Sequence, residues 1–117
     1  DTGHMLFAGG DSLKIIKNFK EKIAHVHCKD MREKVLKKSL SEDLSFRHAF
    51  LEGAFTVPGD GCIDYKPVLD RLKKNNYDSW LVVEAEQDPK KANPFEYAKK
   101  GYEYLSKTAK ESGFSIE

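Results

Sequence analysis

Apolar residues recur along this chain at two spacings, and the change from one to the other marks out its elements. Leu13, Ile16 and Phe19 stand three apart after Asp11, which predicts a helix capped by that aspartate and ending near Lys22. Ile23 to Cys28 then reads as a short strand, and Met31 to Glu52, rich in Lys and Glu, suits one or two surface helices closed by Gly53. Val57-Pro58-Gly59-Asp60-Gly61 is turn chemistry. Asp64 can cap the next helix, with Pro67 tolerated in its first turn, Val68, Leu69 and Leu72 on its buried side, and Asn75 and Asn76 closing it. Ser79 to Glu84 is the clearest strand. Asn93-Pro94-Phe95-Glu96 offers an N-cap, a proline at the first helical position and a glutamate three residues after the cap. The helix it opens carries Phe95, Ala98, Tyr102, Leu105 and Ala109 as its apolar stripe, while Asp1-Thr2-Gly3-His4 reads as a turn.

Helical segments separate the strands, so the strands should be parallel, in an α/β fold. A parallel sheet is covered by helices or closed into a barrel, and two strands are marginal alone. The pattern therefore describes part of a larger fold. Unpaired strand edges and uncovered helix faces predict that residues 1–117 expressed alone are neither active nor a stable monomer.

The charge balance narrows the partners. Lys plus Arg number 20 against 19 Asp plus Glu, so there is no electrostatic footprint for nucleic acid or an anionic membrane, and a small neutral substrate is easier to reconcile. No apolar run approaches the roughly 20 residues of a membrane span, and the first residues lack the order of a signal peptide, from which a cytoplasmic protein is expected. Cys28 and Cys62, the two cysteines, have no metal or redox spacing and read as reduced thiols.

Strand alternation puts His25, His27 and Lys29 on one face and Ala24, Val26 and Cys28 on the other. In the second strand it sets Trp80, Val82, Glu84 and Glu86 against Leu81, Val83 and Ala85. Both strands thus end, on their C-terminal side, in groups able to bind a ligand, and in a (β/α)8 barrel that side carries the active site. Asp1 and His4 precede a loop and helix, where the end of a preceding strand would lie. Aspartate, histidine and glutamate together make a mixed N/O set suited to Mn²⁺, Co²⁺, Mg²⁺ or Zn²⁺. The same residues also have plainer readings: a His-x-His pair serves structure, a terminal carboxylate caps a helix, Cys28 packs, His48 sits on a surface helix, and Lys29 to Asp43 forms a solvated face.

Asp1-Thr2-Gly3-His4, His25-Val26-His27-Cys28-Lys29-Asp30 and Trp80-Leu81-Val82-Val83-Glu84 resemble the xylose isomerase-like TIM barrel superfamily. Within it, Phe55 to Asp64, Val82 to Pro89 and Ala92-Asn93-Pro94 resemble the inosose dehydratases. The resemblance implies the C-terminal half of a (β/α)8 barrel, from about the end of strand 6 through helix 8, as part of one domain whose N-terminal half lies outside these residues. It implies Asp1, His27 and Glu84 as metal ligands, His27 because His27-Cys28-Lys29-Asp30 matches the superfamily's His-x-x-Asp and Glu84 because it directly follows its apolar strand. A fourth ligand, a glutamate on an earlier strand, is expected from outside the chain. His4 is then a candidate for substrate contact or proton transfer, Glu84 a candidate catalytic residue, and Lys29, Asp60 and Glu86 candidate substrate contacts, with the glutamate outside the chain an alternative base. The implied activity is loss of water from 2-keto-myo-inositol through a metal-stabilised enediolate, in inositol catabolism, with Mn²⁺ or Co²⁺ and with glutathione used by the family. A ketose epimerase or isomerase of the same superfamily, and an inactive half-barrel fragment, are the alternatives. The sequence also admits a homo-oligomer.

Overall fold

A computed structural model describes residues 1–117 and contains six α-helices and four strands. The helices are α1 (Thr2–Phe7), α2 (Ser12–Asn18), α3 (Glu33–Ser41), α4 (Phe46–Leu51), α5 (Tyr65–Lys74) and α6 (Pro94–Glu111). The strands are β1 (His25–Cys28), β2 (Asp30–Met31), β3 (Phe55–Thr56) and β4 (Trp80–Val83). β1 and β4 pair in parallel, with His25 opposite Trp80 and His27 opposite Val82. The ladder continues one step, because the Glu84 N–H donates to the Cys28 carbonyl. Glu84 is thereby held beside the end of β1.

Helices cover one face of this pair. Val26 and Cys28 point into a core with Ile16, Leu69, Leu72 and Leu105, while Leu81 and Val83 of β4 pack against it. His25 and His27 lie on the opposite face with their rings 5.3 Å apart. Cys28 is a packed thiol, which burial pushes up to about 12. Asp64 caps α5 by accepting from Lys66 N, and Asn93 caps α6 by accepting from Phe95 and Glu96, so both helices start where their cap residues predict. Gly53 and Asn76 take positive φ at 83° and 57° where α4 and α5 have ended.

Four expectations change. Asp1 to His4 is the start of α1, not a turn, because the Asp1 carboxylate accepts the His4 N–H and supplies a cap. The helix after Asp11 stops at Asn18 and tightens into a 3₁₀ turn, Lys20–Lys22. β2 and β3 form a short antiparallel ribbon, too brief to leave an alternation in the sequence. On α6 the inward face holds Gly101, Leu105, Thr108 and Ala109, while Phe95, at 78% exposure, Ala98 and Tyr102 face solvent.

The turn of α6 has a steric cause. Gly101 lies so close to the sheet that a Cβ there would sit 2.7 Å from Val83 Cγ1 and 2.8 Å from Val57 Cβ. The helix therefore docks through its glycine, and the larger apolar residues are rotated away. Gly101→Ala is expected to lower the unfolding free energy of the full-length protein by about 1–3 kcal/mol, the usual cost of overpacking. Denaturant titration checks it; an unchanged midpoint would mean that α6 is free to move outward.

Candidate functional site

The site forms where β1, β4 and the N-terminus of α1 meet. Thr2 supplies the join: its Oγ1 donates to the Lys29 carbonyl at 2.8 Å and lies 3.2 Å from the Lys29 N–H and 2.7 Å from the Tyr65 hydroxyl. Gly3 permits this contact, since a Cβ there would meet Lys29 Cγ at 2.8 Å. Asp1 is thus carried to the end of β1. One of its carboxylate oxygens caps α1, and the other, Oδ2, lies 3.1 Å from Lys29 Nζ, 3.3 Å from His4 Nδ1 and 3.9 Å from His27 Nδ1.

Asp1, His27 and Glu84 each offer a donor atom, and these atoms lie within 4.8 Å of one another. Glu84 Oε2 is buried and takes part in no hydrogen bond, although His27 Nδ1 is 2.8 Å away. Proximity to His27, and to Lys29 Nζ at 3.4 Å, without hydrogen-bond geometry leaves that buried oxygen unsatisfied, although the Glu84 side chain as a whole is half-buried.

Beside the cluster, His4 Nε2 stands 2.7 Å from Glu86 Oε2 and 3.0 Å from Lys29 Nζ. Phe46 and Phe55 hold the His4 ring edge-on, with centroids 5.6 and 5.2 Å away. Lys29 Nζ also donates to Glu86 Oε2 at 3.0 Å. Burial alone would raise the Glu86 carboxyl, but hydrogen bonds from His4 and Lys29 and the Lys29 charge outweigh it and hold the group below the usual glutamate range. The lysine itself is wholly buried.

The structure thus brings together Asp1, His27 and Glu84, which the sequence singles out in three distant segments, with Lys29 and Glu86 beside them. The sequence alone missed the burial of Lys29 and Asp30, which the solvated-face reading of Lys29 to Asp43 placed outside; that reading suits the exposed Glu33, Lys34, Lys37, Lys38, Glu42 and Asp43. It also missed the Thr2–Tyr65 join, for which no local signal exists.

Asp60 is held in a different hydrogen-bond network. Its carboxylate takes hydrogen bonds from Thr56, Arg32 and Lys100, and it shares no hydrogen bond or ion pair with Asp1, His27 or Glu84. Arg32 extends this network to the Gly53 carbonyl, and Gln87 joins it by donating to Thr56 Oγ1. Burial acts to raise the Asp60 carboxyl, yet the Lys100 and Thr56 hydrogen bonds and the charges of Lys100 and Arg32 hold it below the usual aspartate range. A carboxyl lowered by folding adds stability above its unfolded pKa, and loses it as pH falls through the folded one. Asp60→Asn should therefore cost about 1–2 kcal/mol near neutrality, with the gap to the parent closing below about pH 4. Unfolding titrations of both full-length proteins across that range check this; a gap independent of pH would show that charge is not what holds the network.

No helix is long and apolar enough to cross a membrane. A family model described as the xylose isomerase-like TIM barrel matches residues 1–108. The rhizopine catabolism protein MocC of Rhizobium meliloti is 50% identical over 99% of this chain and 36% of its own length. The inosose dehydratases of Clostridium beijerinckii and Clostridium tetani are 50% and 51% identical over 90% and 93% of this chain, and 35% and 37% of their own lengths. The chain spans about a third of the length of these curated relatives. Paired parallel strands backed by helices, with donors gathered where the strands end, agree with a match that runs through most of the chain: it belongs to the xylose isomerase-like TIM barrel family.

Proposed function

We propose that the full-length protein containing these residues is a cytoplasmic, divalent-metal-dependent hydro-lyase that dehydrates an inosose, 2-keto-myo-inositol, in inositol catabolism. The observation that carries this reading is identity of about half across nine-tenths or more of the chain with proteins named inosose dehydratase. The donor chemistry is compatible with it. Two carboxylates and an imidazole suit Mn²⁺ or Co²⁺, and the unsatisfied Glu84 Oε2 is the kind of atom a cation would complete.

In that reading Asp1, His27 and Glu84 hold the ion, which supplies a Lewis acid able to polarise a carbonyl oxygen. Proton movement falls to His4. With Nε2 protonated the ring donates to Glu86 Oε2, and with Nε2 bare it accepts from Lys29 Nζ, so both forms have a partner within 3.0 Å. A group satisfied in both states can take the proton next to a ketone or return one to a departing hydroxyl without leaving an orphaned donor or acceptor. Phe46 and Phe55 keep the ring in place while this happens. Glu86, whose side chain is 37% exposed, would accept from a substrate hydroxyl.

The same centre would serve an epimerase or isomerase if the proton were returned to carbon rather than water expelled. Incubation of the full-length protein with 2-keto-myo-inositol and Mn²⁺ in D₂O separates these outcomes by mass spectrometry. A product lighter by one water is expected. Deuterium incorporation or a rearranged ketose, without loss of water, would replace the dehydratase reading with the epimerase or isomerase one.

A further inference from the structure

Lys29 sits at the centre of the site with its side chain 0% exposed. Lysine is almost never so buried unless its charge is paired. Here Nζ lies 3.0 Å from Glu86 Oε2, 3.1 Å from Asp1 Oδ2 and 3.4 Å from Glu84 Oε2, so one ammonium lies against three carboxylates from two segments, the start of α1 and the end of β4. The stem cannot swing aside. Gly3 packs on its Cβ and Cγ, Thr2 grips its backbone on both sides, and the Phe55 ring lies 5.5 Å from Nζ. With hydrogen bonds to Glu86 and His4 and the Asp1 carboxylate beside it, the ammonium is also closed to solvent, which does not suit a substrate contact.

We propose that Lys29 is a fixed internal cation of the site, a positioning residue that gathers Asp1, Glu84 and Glu86 and sets the affinity of the cluster for a divalent ion below what the carboxylates alone would give. This rests on the metal reading of Asp1, His27 and Glu84. The physical reason is direct. Three carboxylates carry three negative charges, and Lys29 cancels one of them within hydrogen-bonding distance of two candidate ligands. Inside a protein such a charge is weakly screened, so a dication and the ammonium compete for the same oxygens. A site built this way holds its ion less tightly than its ligands allow, and its carboxylates are spaced by a group that does not exchange.

The test is Mn²⁺ binding by the full-length protein, followed by the loss of the free-ion electron paramagnetic resonance signal. Lys29→Met keeps the length of the stem and removes the charge, and Lys29→Gln is a smaller neutral replacement. Both are expected to bind Mn²⁺ at least about tenfold more tightly than the parent, even as turnover falls through misplacement of His4 and Glu86. A merely structural lysine predicts the opposite sign, because loosening the cluster weakens binding. Glu86→Gln removes a negative charge and should weaken Mn²⁺ binding, which confirms that charge governs the site.

Unchanged or weaker Mn²⁺ binding by folded Lys29 variants overturns the inference while leaving the metal reading intact. Failure of both neutral variants to fold, judged by circular dichroism, also overturns it and makes Lys29 a structural residue. A parent that binds no Mn²⁺ sinks the metal reading itself and the inference with it.

Discussion

Replacing His27 or Glu84 by alanine in the full-length protein is expected to reduce turnover of 2-keto-myo-inositol by at least about 100-fold, with metal content falling in parallel. The size follows from the role proposed for the ion: Lewis-acid stabilisation is worth several kcal/mol, and each 1.36 kcal/mol is about tenfold in rate. The two residues reach the site differently. His27 projects from β1 on the face opposite Val26 and Cys28, whereas Glu84 follows β4 and is held by its own N–H donating to the Cys28 carbonyl. Removing either side chain leaves that backbone pairing in place, so the fold should persist while the donor set does not. Asp1→Asn should behave similarly but more mildly, since the amide keeps an oxygen for the α1 cap and loses the charge of Oδ2. Steady-state kinetics and elemental analysis of the purified variants decide the matter. Normal activity with normal metal content in either alanine variant would remove that residue from the ligand set.

Asp30→Ala is expected to be the most destabilising single change, at about 3–5 kcal/mol. Asp30 is fully buried, and its two carboxylate oxygens accept from the backbone N–H groups of Met31, Gly59, Gly61 and Ile63. One side chain thus closes the turn between β3 and α5. Burial raises its carboxyl above the usual aspartate range in spite of those four donors. Truncation would leave the donors unpaired, each at about 1–3 kcal/mol when buried, moderated where Gly59 and Gly61 reach water. Asp30→Asn keeps the shape and one acceptor and should cost less. Gly61 shows how closely the turn is fitted, because a Cβ there would stand 2.3 Å from Asp30 Oδ1. Denaturant unfolding with hydrogen exchange at residues 59–63 tests the claim; a variant that unfolds like the parent and retains slow exchange there would show that the turn closes without Asp30.

The starts of α2, α5 and α6, the parallel pairing of the two main strands and their polar faces were legible in the sequence because each rests on local chemistry. Asp64 and Asn93 cap the helices they precede, since a short polar side chain can reach N–H groups only two or three residues ahead. Alternation along Ala24–Cys28 and Trp80–Val83 separated the core face from the ligand-bearing face, since successive strand residues point to opposite sides. The residues that meet as donors could be picked out in the same way, with the resemblance selecting His27 over His25 and Glu84 over Glu86.

The remaining features depend on contacts that no local pattern encodes. Lys29 looks like one more charge in a polar run until Asp1, Glu84 and Glu86 arrive from segments 28, 55 and 57 residues away and bury it. Asp60 has a turn-like setting in both views, yet Lys100 of α6 and Arg32 draw its carboxylate into a network of its own. The inward face of α6 was misread because apolar spacing permits more than one rotation, and the approach of Gly101 to Val57 and Val83 selects among them. Sequence determined the longer helices, the two main strands and which chemistry each strand end carries, because those follow from neighbours within a turn or a pleat, but not the start of α1 or the β2–β3 ribbon. Tertiary structure alone decided which charges are buried, which carboxylates share a cation and which helix face turns inward, because those are set by close packing and by Coulomb interactions between groups far apart in the chain.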